Sequence, residues 1–196
     1  RLASLCRSAE HVLLLDGTAG RNTHRWLSTA VRRPFHWRRN TATLHPKRKF
    51  VFLDDRASAL VTLKKLFVNK KQNLAIACAS KKHAVCLVEF LQNKYKSAGD
   101  DEPPTSVRTP LAEGEVVLLT ADTPKEERTR ILENVGEATK NARLFVYSPT
   151  ITAGCSIDHD RFHSVICWCT TRSVVADVLW QMIWRVRNPT TEHVYI

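Results

Sequence analysis

Seven short apolar runs, separated by segments with helical periodicity, restrict the fold of this chain more than any other feature of its sequence. The runs span residues 11–15, 50–53, 73–79, 115–120, 143–148, 164–169 and 193–196. The helical segments span roughly residues 55–69, 80–96, 124–139 and 173–187. Strands that are apolar at nearly every position are buried on both faces, and helical crossovers make neighbouring strands parallel. The pattern therefore predicts a three-layer α/β fold, with a mainly parallel sheet and helices on both faces.

Basic residues are concentrated at the start of the chain. The 196 residues carry a net charge of +11, and residues 1–49 hold 11 Lys and Arg against 2 acids, a net +9. No acidic residue lies between Asp16 and Asp54. The aromatic residues interspersed among these arginines are Trp26, Phe35 and Trp37. Guanidinium groups beside flat rings suit a polyanion with stackable bases, so the segment predicts nucleic-acid contact. The alternatives are a solvated basic connector and a face that packs on an acidic part of a longer protein.

The six cysteines do not have the pattern of a secreted disulfide scaffold. They stand at positions 6, 78, 86, 155, 167 and 169, mostly within apolar runs. Small disulfide-bonded domains have cysteine-rich loops, so buried free thiols in a reducing compartment fit this sequence better. Cys167 and Cys169 lie two apart on a predicted strand, with His159 and His163 nearby, which leaves zinc as an alternative. Because a second cysteine pair is missing from this part of the sequence, we expect no metal site.

Three further observations narrow the class of protein. Aliphatic runs reach only four residues, as at residues 12–15, whereas a membrane span needs about 20. Gly17 and Gly20 are two residues too close for a phosphate loop, and Arg21 stands where that loop has Lys. The sequence therefore predicts neither a membrane partner nor a nucleotide cradle of its own. Since the chain starts with Arg1 and not Met, we expect it to be a fragment of a larger protein.

Polar residues follow three of the predicted elements, and each group has a functional and a structural interpretation. Ser80, Lys81 and Lys82 open a helix directly after a strand, which suits either an anion site or a capped helix with solvated lysines. The loop after residues 143–148 contains hydroxyls and a glycine at the expected ligand-binding edge of the sheet. Its candidate residues are Thr150, Thr152, Gly154, Ser156 and Asp158. This loop suits close approach to a phosphate or ribose, and a structural turn is the alternative.

The last predicted helix contains a third group. Gln181 and Arg185 are four residues apart, so a helix through both would place them on one face. Arg187 follows near the end that Pro189 marks. Two guanidinium groups beside an amide can grip a triphosphate. The alternative is an amphipathic helix with exposed arginines.

Taken in order, these segments resemble the C-terminal RecA-like lobe of a superfamily 2 helicase, and most closely the herpesvirus-type replication origin-binding protein family. The resemblance covers about residues 50–196, with a weaker match at Leu14-Leu15-Asp16 to motif III. Leu74 to Ser80 resembles motif IV. The stretch from Val146 to Asp158, followed by Phe162-His163, resembles motif V. The stretch Gln181-Met-Ile-Trp184-Arg185-Val-Arg187 resembles motif VI, a Gln-x-x-Gly-Arg-Val-Arg pattern.

The resemblance implies a division of labour between two lobes. In such helicases the preceding lobe holds ATP and Mg²⁺ through Walker A and B residues, which this sequence lacks, so the chain alone should be inactive. Arg185 and Arg187 would stabilise charge on the phosphates, and Gln181 would help to place them. Gly154, Ser156 and Asp158 would bind or couple the nucleotide. The nucleic-acid contacts would come from Ser80, Lys81, Lys82, Thr150 and Thr152.

The resemblance also implies an organisation and a cellular role. Residues 1–49 would be a basic connector with the end of the preceding lobe, and residues 50–196 the C-terminal lobe. The intact protein would be an ATP-dependent DNA helicase that acts at replication origins. Its partners would be single-stranded or duplex DNA and its own N-terminal lobe, and its location intracellular, in the nucleus.

One residue departs from the resembled motif. Trp184 occupies the position of the motif VI glycine, where an indole adds bulk and a large apolar face. It could block nucleotide or provide a stacking surface. A non-catalytic nucleic-acid-binding or scaffold module with a degenerate helicase fold is therefore the second hypothesis. An unrelated α/β enzyme that uses the Asp16-Gly17 loop is the third.

Overall fold

The computed structural model describes residues 1–12, 21–32, 36, 47–92, 111–112, 114–150, 155–170 and 174–196. The chain divides into two compact units, Arg1–Leu44 and His45–Ile196. In the first unit, helix α1 (Leu2–Ser8) and helix α2 (Arg21–Trp26) are described, and α2 continues as a π-helical turn, Leu27–Val31. Cys6, Leu27 and Val31 form a small buried cluster in this unit.

The second unit is built on six parallel strands. They are β1 (Lys49–Val51), β2 (Leu74–Cys78), β3 (Val116–Leu119), β4 (Leu144–Tyr147), β5 (Ser164–Trp168) and β6 (His193–Tyr195). Their order across the sheet is β1-β6-β5-β2-β4-β3, with Leu74 opposite both Leu144 and Ser164. The central strands β2, β4 and β5 are buried at every position. Their near-continuous apolar sequences are explained by helices on both faces.

The two faces of the sheet are covered by different helices. Helices α3 (Arg56–Lys64), with its π-helical continuation Lys65–Asn69, and α4 (Lys81–Leu91) pack on one face, where Leu63 and Leu87 meet Ile76. Helices α5 (Lys125–Glu133), α6 (Val135–Thr139) and α7 (Ala176–Ile183) pack on the other face. There Ile131 and Met182 pack in one cluster with the β4 side chains Phe145 and Tyr147. The prediction of a three-layer α/β fold with a parallel sheet is confirmed.

Six of the seven predicted strands are present within two residues of their expected bounds. Most of the seventh, residues 11–15, lies outside the described residues, as does the loop at 13–20 with Gly17 and Gly20. The helix predicted at 80–96 is described as far as Gln92.

Two predicted helices differ from the structure at particular residues. The helix expected over 124–139 breaks at Asn134, whose side chain accepts from the N–H of Glu137 at 3.1 Å and so starts α6. The Thr123 hydroxyl accepts from the N–H of Thr120 at 2.9 Å, and Pro124 directly precedes α5. The helix expected over 173–187 ends at Ile183, because the following residues pair with another segment.

Candidate functional site

The carboxyl ends of the strands lie at one edge of the sheet, because all six strands are parallel. Ser80 follows β2, Asp122 follows β3, and Thr150 follows β4. Since β4 lies between β2 and β3, the segments after these three strands are neighbours. This edge therefore brings two of the candidate groups expected from the sequence close to Asp122, in the place where open α/β sheets bind ligands.

An ion pair links two of these segments. Lys81 Nζ lies 2.8 Å from Asp122 Oδ1, and both side chains are more than half exposed. Lys82 is also exposed, and Ser80 stands at the start of α4 without making a side-chain cap. The hydroxyl of Ser80 and the ammonium of Lys82 are therefore placed at the sheet edge, while Lys81 is already paired with an acid. Asp122 could not be recognised from the sequence as the partner of Lys81, because the two residues lie 41 positions apart.

Thr150 is held by the ends of two strands. Its Oγ1 lies 3.3 Å from the carbonyl oxygen of Leu119 and 3.2 Å from Ser148 Oγ. The side chain thus connects β3 to the segment after β4, which is the structural interpretation of this hydroxyl. Thr152 and Gly154 lie outside the described residues.

The other predicted residues meet in a short parallel ladder. Ile157 pairs with Val186 in a parallel bridge, with the N–H of Ile157 donating to Arg185 O at 2.7 Å and that of Arg187 donating to Ile157 O at 2.8 Å. Ile157 and Val186 are buried in the core. The bridge therefore brings the segment of Ser156 and Asp158 against the segment of Arg185 and Arg187.

The structure places Arg185 beyond the end of α7, which differs from the position predicted from the sequence. The sequence predicts that it shares a helix face with Gln181, but α7 ends at Ile183 and Arg185 lies in the turn beyond it, where its N–H donates to Met182 O at 3.0 Å. Gln181 is exposed on α7. Arg185 is half-buried, and its Nη1 donates to the carbonyl oxygen of Cys155 at 3.0 Å. Both predicted arginines thus lie beside the described end of the hydroxyl-rich loop.

The polar groups of Arg185 and Ser156 differ in whether they have hydrogen-bond partners within the chain. The Nε of Arg185 is buried and has no hydrogen-bond partner in the part of the chain that the structure describes. Ser156 Oγ donates to Asp158 Oδ2 at 2.9 Å. A buried guanidinium nitrogen without an acceptor favours an anion, since an unpaired buried donor is costly. The two guanidinium groups suit phosphate oxygens, whereas the Asp158 carboxylate, which already accepts from Ser156, would repel them.

The end of α7 is held by residues that the sequence analysis did not single out for this role. Tyr147 is fully buried, and its hydroxyl donates to Met182 O at 2.8 Å. Arg48 Nη1 donates to Ile183 O at 3.0 Å, and its Nη2 donates to Val186 O. The Arg48 guanidinium also lies 4.1 Å from the centre of a Trp184 ring. The indole that replaces the expected glycine is therefore in contact with a cation of this chain.

A cavity of about 420 Å³ lies beside the same ladder, between the turn from α5 to α6 and residues 155–159. His159 lines it and is hydrogen-bonded through Nε2 to Thr139 Oγ1 at 2.9 Å. Burial lowers the pKa of His159 below its usual value, and Asp160 opposes this effect. The imidazole is consequently neutral at physiological pH. The other polar side chains of the lining are Glu133, Asn134, Glu137, Lys140, Ser156 and Asp158.

The cysteines and histidines considered for zinc are not arranged as ligands. Cys167 is buried, whereas Cys169 is exposed beyond the end of β5. His163 Nδ1 accepts from the N–H of Asn73 at 3.0 Å. In the described parts of the chain, no group of three or more His, Cys, Asp and Glu side chains could hold a metal ion. Burial, with a smaller effect from Cys169, raises the pKa of the Cys167 thiol to about 12.

Comparisons with known proteins identify the fold. No protein-family model matches the sequence, and no curated protein matches it significantly. A structure of an S. cerevisiae Dbp5 variant bound to a Gle1 variant and IP6 is similar, with a TM-score of 0.51 and 17% identity. That likeness covers 91% of this chain and 41% of the Dbp5 chain, so the chain spans less than half of it. The second unit is thus a three-layer α/β fold of the RecA-like kind.

Two further structures give weaker likenesses. The C-terminal domain of the DEAD-box protein Dbp5 has a TM-score of 0.48 at 16% identity, covering 76% of this chain and 74% of that chain. The C-terminal part of the Fun30 ATPase domain has a TM-score of 0.46 at 15% identity, covering 70% of this chain and 39% of that chain. Among the described helices, none is both long and apolar enough to span a bilayer.

Proposed function

We propose that this chain is the C-terminal motor lobe of a superfamily 2 helicase, and that residues 50–196 form the lobe. The observation that supports the proposal is the backbone pairing between Ile157 and Val186, which brings the segment of Arg185 and Arg187 next to that of Ser156 and Asp158. These are the residues of two motif-like segments that lie about 30 positions apart in the sequence. The RecA-like fold of the unit is consistent with this role.

The nucleotide would be ATP with Mg²⁺, held mainly by a preceding lobe. The residues of this chain fit the phosphate side of such a site, since the Arg185 Nε is a buried donor without an acceptor among the described residues. Bound ATP supplies the phosphoryl group whose hydrolysis drives the motor. Arg185 and Arg187 would stabilise negative charge on the phosphate oxygens, Ser156 would donate to them in place of Asp158, and Gln181 would approach from the exposed face of α7. Gly154 would allow close approach of the backbone.

The nucleic acid would lie at the carboxyl edge of the sheet. Ser80 and Lys82 are exposed or half-exposed there, and Lys81 could exchange Asp122 for a phosphate. Thr150 and Thr152 would position the loop between this edge and the nucleotide. The strongly basic residues 1–49 would act as a connector that adds backbone contacts. The finer proposal is a DNA helicase of the replication origin-binding type, acting in the nucleus on single-stranded or duplex DNA.

The test is ATP hydrolysis by the intact protein that contains this chain, with and without single-stranded DNA or RNA. Arg185→Ala and Arg187→Ala should each lower kcat at least about a hundredfold, because arginine contacts to transferring phosphates have large effects. The matched control is Arg130→Ala, which removes an exposed arginine from α5. Thermal unfolding should show that all three variants fold. Turnover that is unchanged in both site variants would remove the two arginines from the mechanism.

A non-catalytic nucleic-acid-binding module is the second candidate, and Trp184 is the observation that favours it. An indole in place of the motif VI glycine adds bulk directly before Arg185. If the intact protein does not hydrolyse ATP and Trp184→Gly restores hydrolysis, the indole is what inactivates the motor. If the 196-residue chain binds single strands tightly and Trp184→Gly restores no hydrolysis, the binding module is the better description.

A further inference from the structure

The segment that carries Arg185 and Arg187 begins where α7 ends, and the carbonyl groups there need donors. The last carbonyls of any α-helix lack partners within the helix. Here Tyr147 donates to Met182 O, and Arg48 donates to both Ile183 O and Val186 O. Arg48 thus spans the end of the helix and the residue between the two arginines of the proposed site.

The same guanidinium lies at one end of a row of three aromatic rings. Arg48 lies over Trp184, and Trp184 meets Trp180 edge-on, with ring centres 6.0 Å apart. Trp180 in turn stacks on Phe50, with ring centres 5.0 Å apart and an angle of 24° between the ring planes. Phe50 belongs to β1, two residues after Arg48. The start of β1 and the end of α7 are therefore joined by a cation–π contact and two ring contacts.

Arg48 lies near a second cation, Arg187, and near the carbonyl end of α7. Burial lowers the pKa of Arg48, and the nearby Arg187 lowers it further. The carbonyl end of a helix carries partial negative charge, which offsets the repulsion between these two cations. Since arginine stays protonated in proteins, Arg48 remains a cation beside Arg187 and strengthens the positive potential there.

We propose that Arg48 is a positioning residue that holds residues 184–187, and thereby directs Arg185 and Arg187 toward the phosphates of the nucleotide. Only the last part of this inference, that the two arginines point toward a nucleotide, rests on the proposed function. Trp184 then has a definite role, since its ring provides the surface on which the Arg48 guanidinium rests. A lysine would replace Arg48 only in part, because an ammonium group lacks the planar fork that donates in two fixed directions while it stacks on an aromatic ring.

The first test follows the conformation of this segment without any nucleotide. Arg48→Met keeps the apolar stem and removes both donors. Amide hydrogen exchange measured by NMR should become at least tenfold faster at Arg185 and Arg187 and stay unchanged in β2. Lys49→Met is the matched control, because Lys49 forms an exposed ion pair with Glu192 at 3.2 Å. Unchanged exchange in Arg48→Met, or an equal effect in Lys49→Met, would overturn the positioning role.

The second test uses the intact protein and separates this inference from the proposed function. Arg48→Met should lower kcat about tenfold or more with little change in KM for ATP, and Arg48→Lys should recover less than half of the lost kcat. Faster exchange without any hydrolysis in the parent protein would support the positioning role and refute the proposed function. Full recovery by Arg48→Lys would overturn the forked contact. Should Arg48→Met not fold, Trp184→Leu must still speed exchange at Arg185 about threefold, or the inference fails.

Discussion

The ion pair between Lys81 and Asp122 predicts that an acidic residue restrains nucleic-acid binding at the sheet edge. In the free protein the Lys81 ammonium lies 2.8 Å from an Asp122 carboxylate oxygen. A phosphate that binds Lys81 must displace this carboxylate, and the displaced charge then repels the phosphate. Asp122→Asn removes that competitor and keeps the size of the side chain. We therefore expect the variant to bind single-stranded nucleic acid more tightly than the parent chain.

The size of this effect follows from the exposure of the pair. The side chains are 55% and 67% exposed, so the pair is a surface ion pair worth about 0.2–1 kcal/mol. Releasing Lys81 from it should raise the binding constant about 1.4- to 5-fold, since about 1.4 kcal/mol is tenfold. One more phosphate contact should also steepen the slope of log K against log salt by about 0.7. Both effects are small enough to require a matched control.

The assay is fluorescence anisotropy of a labelled single strand, titrated with the chain at several salt concentrations. Glu89→Gln on α4 makes the same change of net charge away from the pair and should have a smaller effect. Asp122→Asn in a Lys81→Ala background should give no gain, because the lysine to be released is absent. An equal gain in Glu89→Gln, or the same gain without Lys81, would refute the competition. If the parent chain binds no single strand, the proposed nucleic-acid role itself is wrong.

Three further predictions concern buried polar groups. Tyr147→Phe should lower the free energy of unfolding by about 1–2 kcal/mol in urea titrations, since it leaves the buried Met182 carbonyl without this donor; an unchanged midpoint would contradict this. The pKa of His159 is lowered in the folded protein, so the unfolded chain binds a proton more readily, and the free energy of unfolding should fall as the pH drops below about 6.5. The variant His159→Gln should flatten this pH dependence. An unaltered slope of the free energy of unfolding against pH would contradict the prediction. Iodoacetamide should label the exposed Cys169 much faster than Cys167, whose pKa is raised to about 12; equal labelling rates by mass spectrometry would contradict the described burial.

The helix boundaries show which structural features can be predicted from local sequence patterns and which cannot. The break at Asn134 has a local signal, Asn followed three residues later by Glu137, which is the arrangement of a capping box. The sequence therefore contained enough to predict the division of 124–139 into α5 and α6. The end of α7 at Ile183 has a different origin, since apolar periodicity continues beyond it. It depends on the pairing of Val186 with Ile157, which lies 29 residues earlier.

In the candidate site, too, some features follow from local sequence patterns and others only from contacts between distant segments. Motif-like spacing singled out Arg185, Arg187, Ser156 and Asp158, and in the structure the two segments that contain them pair through Ile157 and Val186. This pairing could not be predicted from spacing, because a helix continued to residue 187 would have used the backbone N–H of Arg187 within the helix, whereas in the structure that N–H donates to Ile157 O.

The sequence by itself determined the layers of this protein, because apolar runs of strand length alternating with helical periods are local patterns that only a covered parallel sheet satisfies. The tertiary structure alone decided which charges meet. Arg48 reaches Ile183 O across 135 residues, and Lys81 reaches Asp122 across 41. Hydrogen bonds and ion pairs act over about 3 Å in space, whereas periodicity reports only on neighbours along the chain. Contacts between distant segments therefore appear only when the sheet has set the order of its strands.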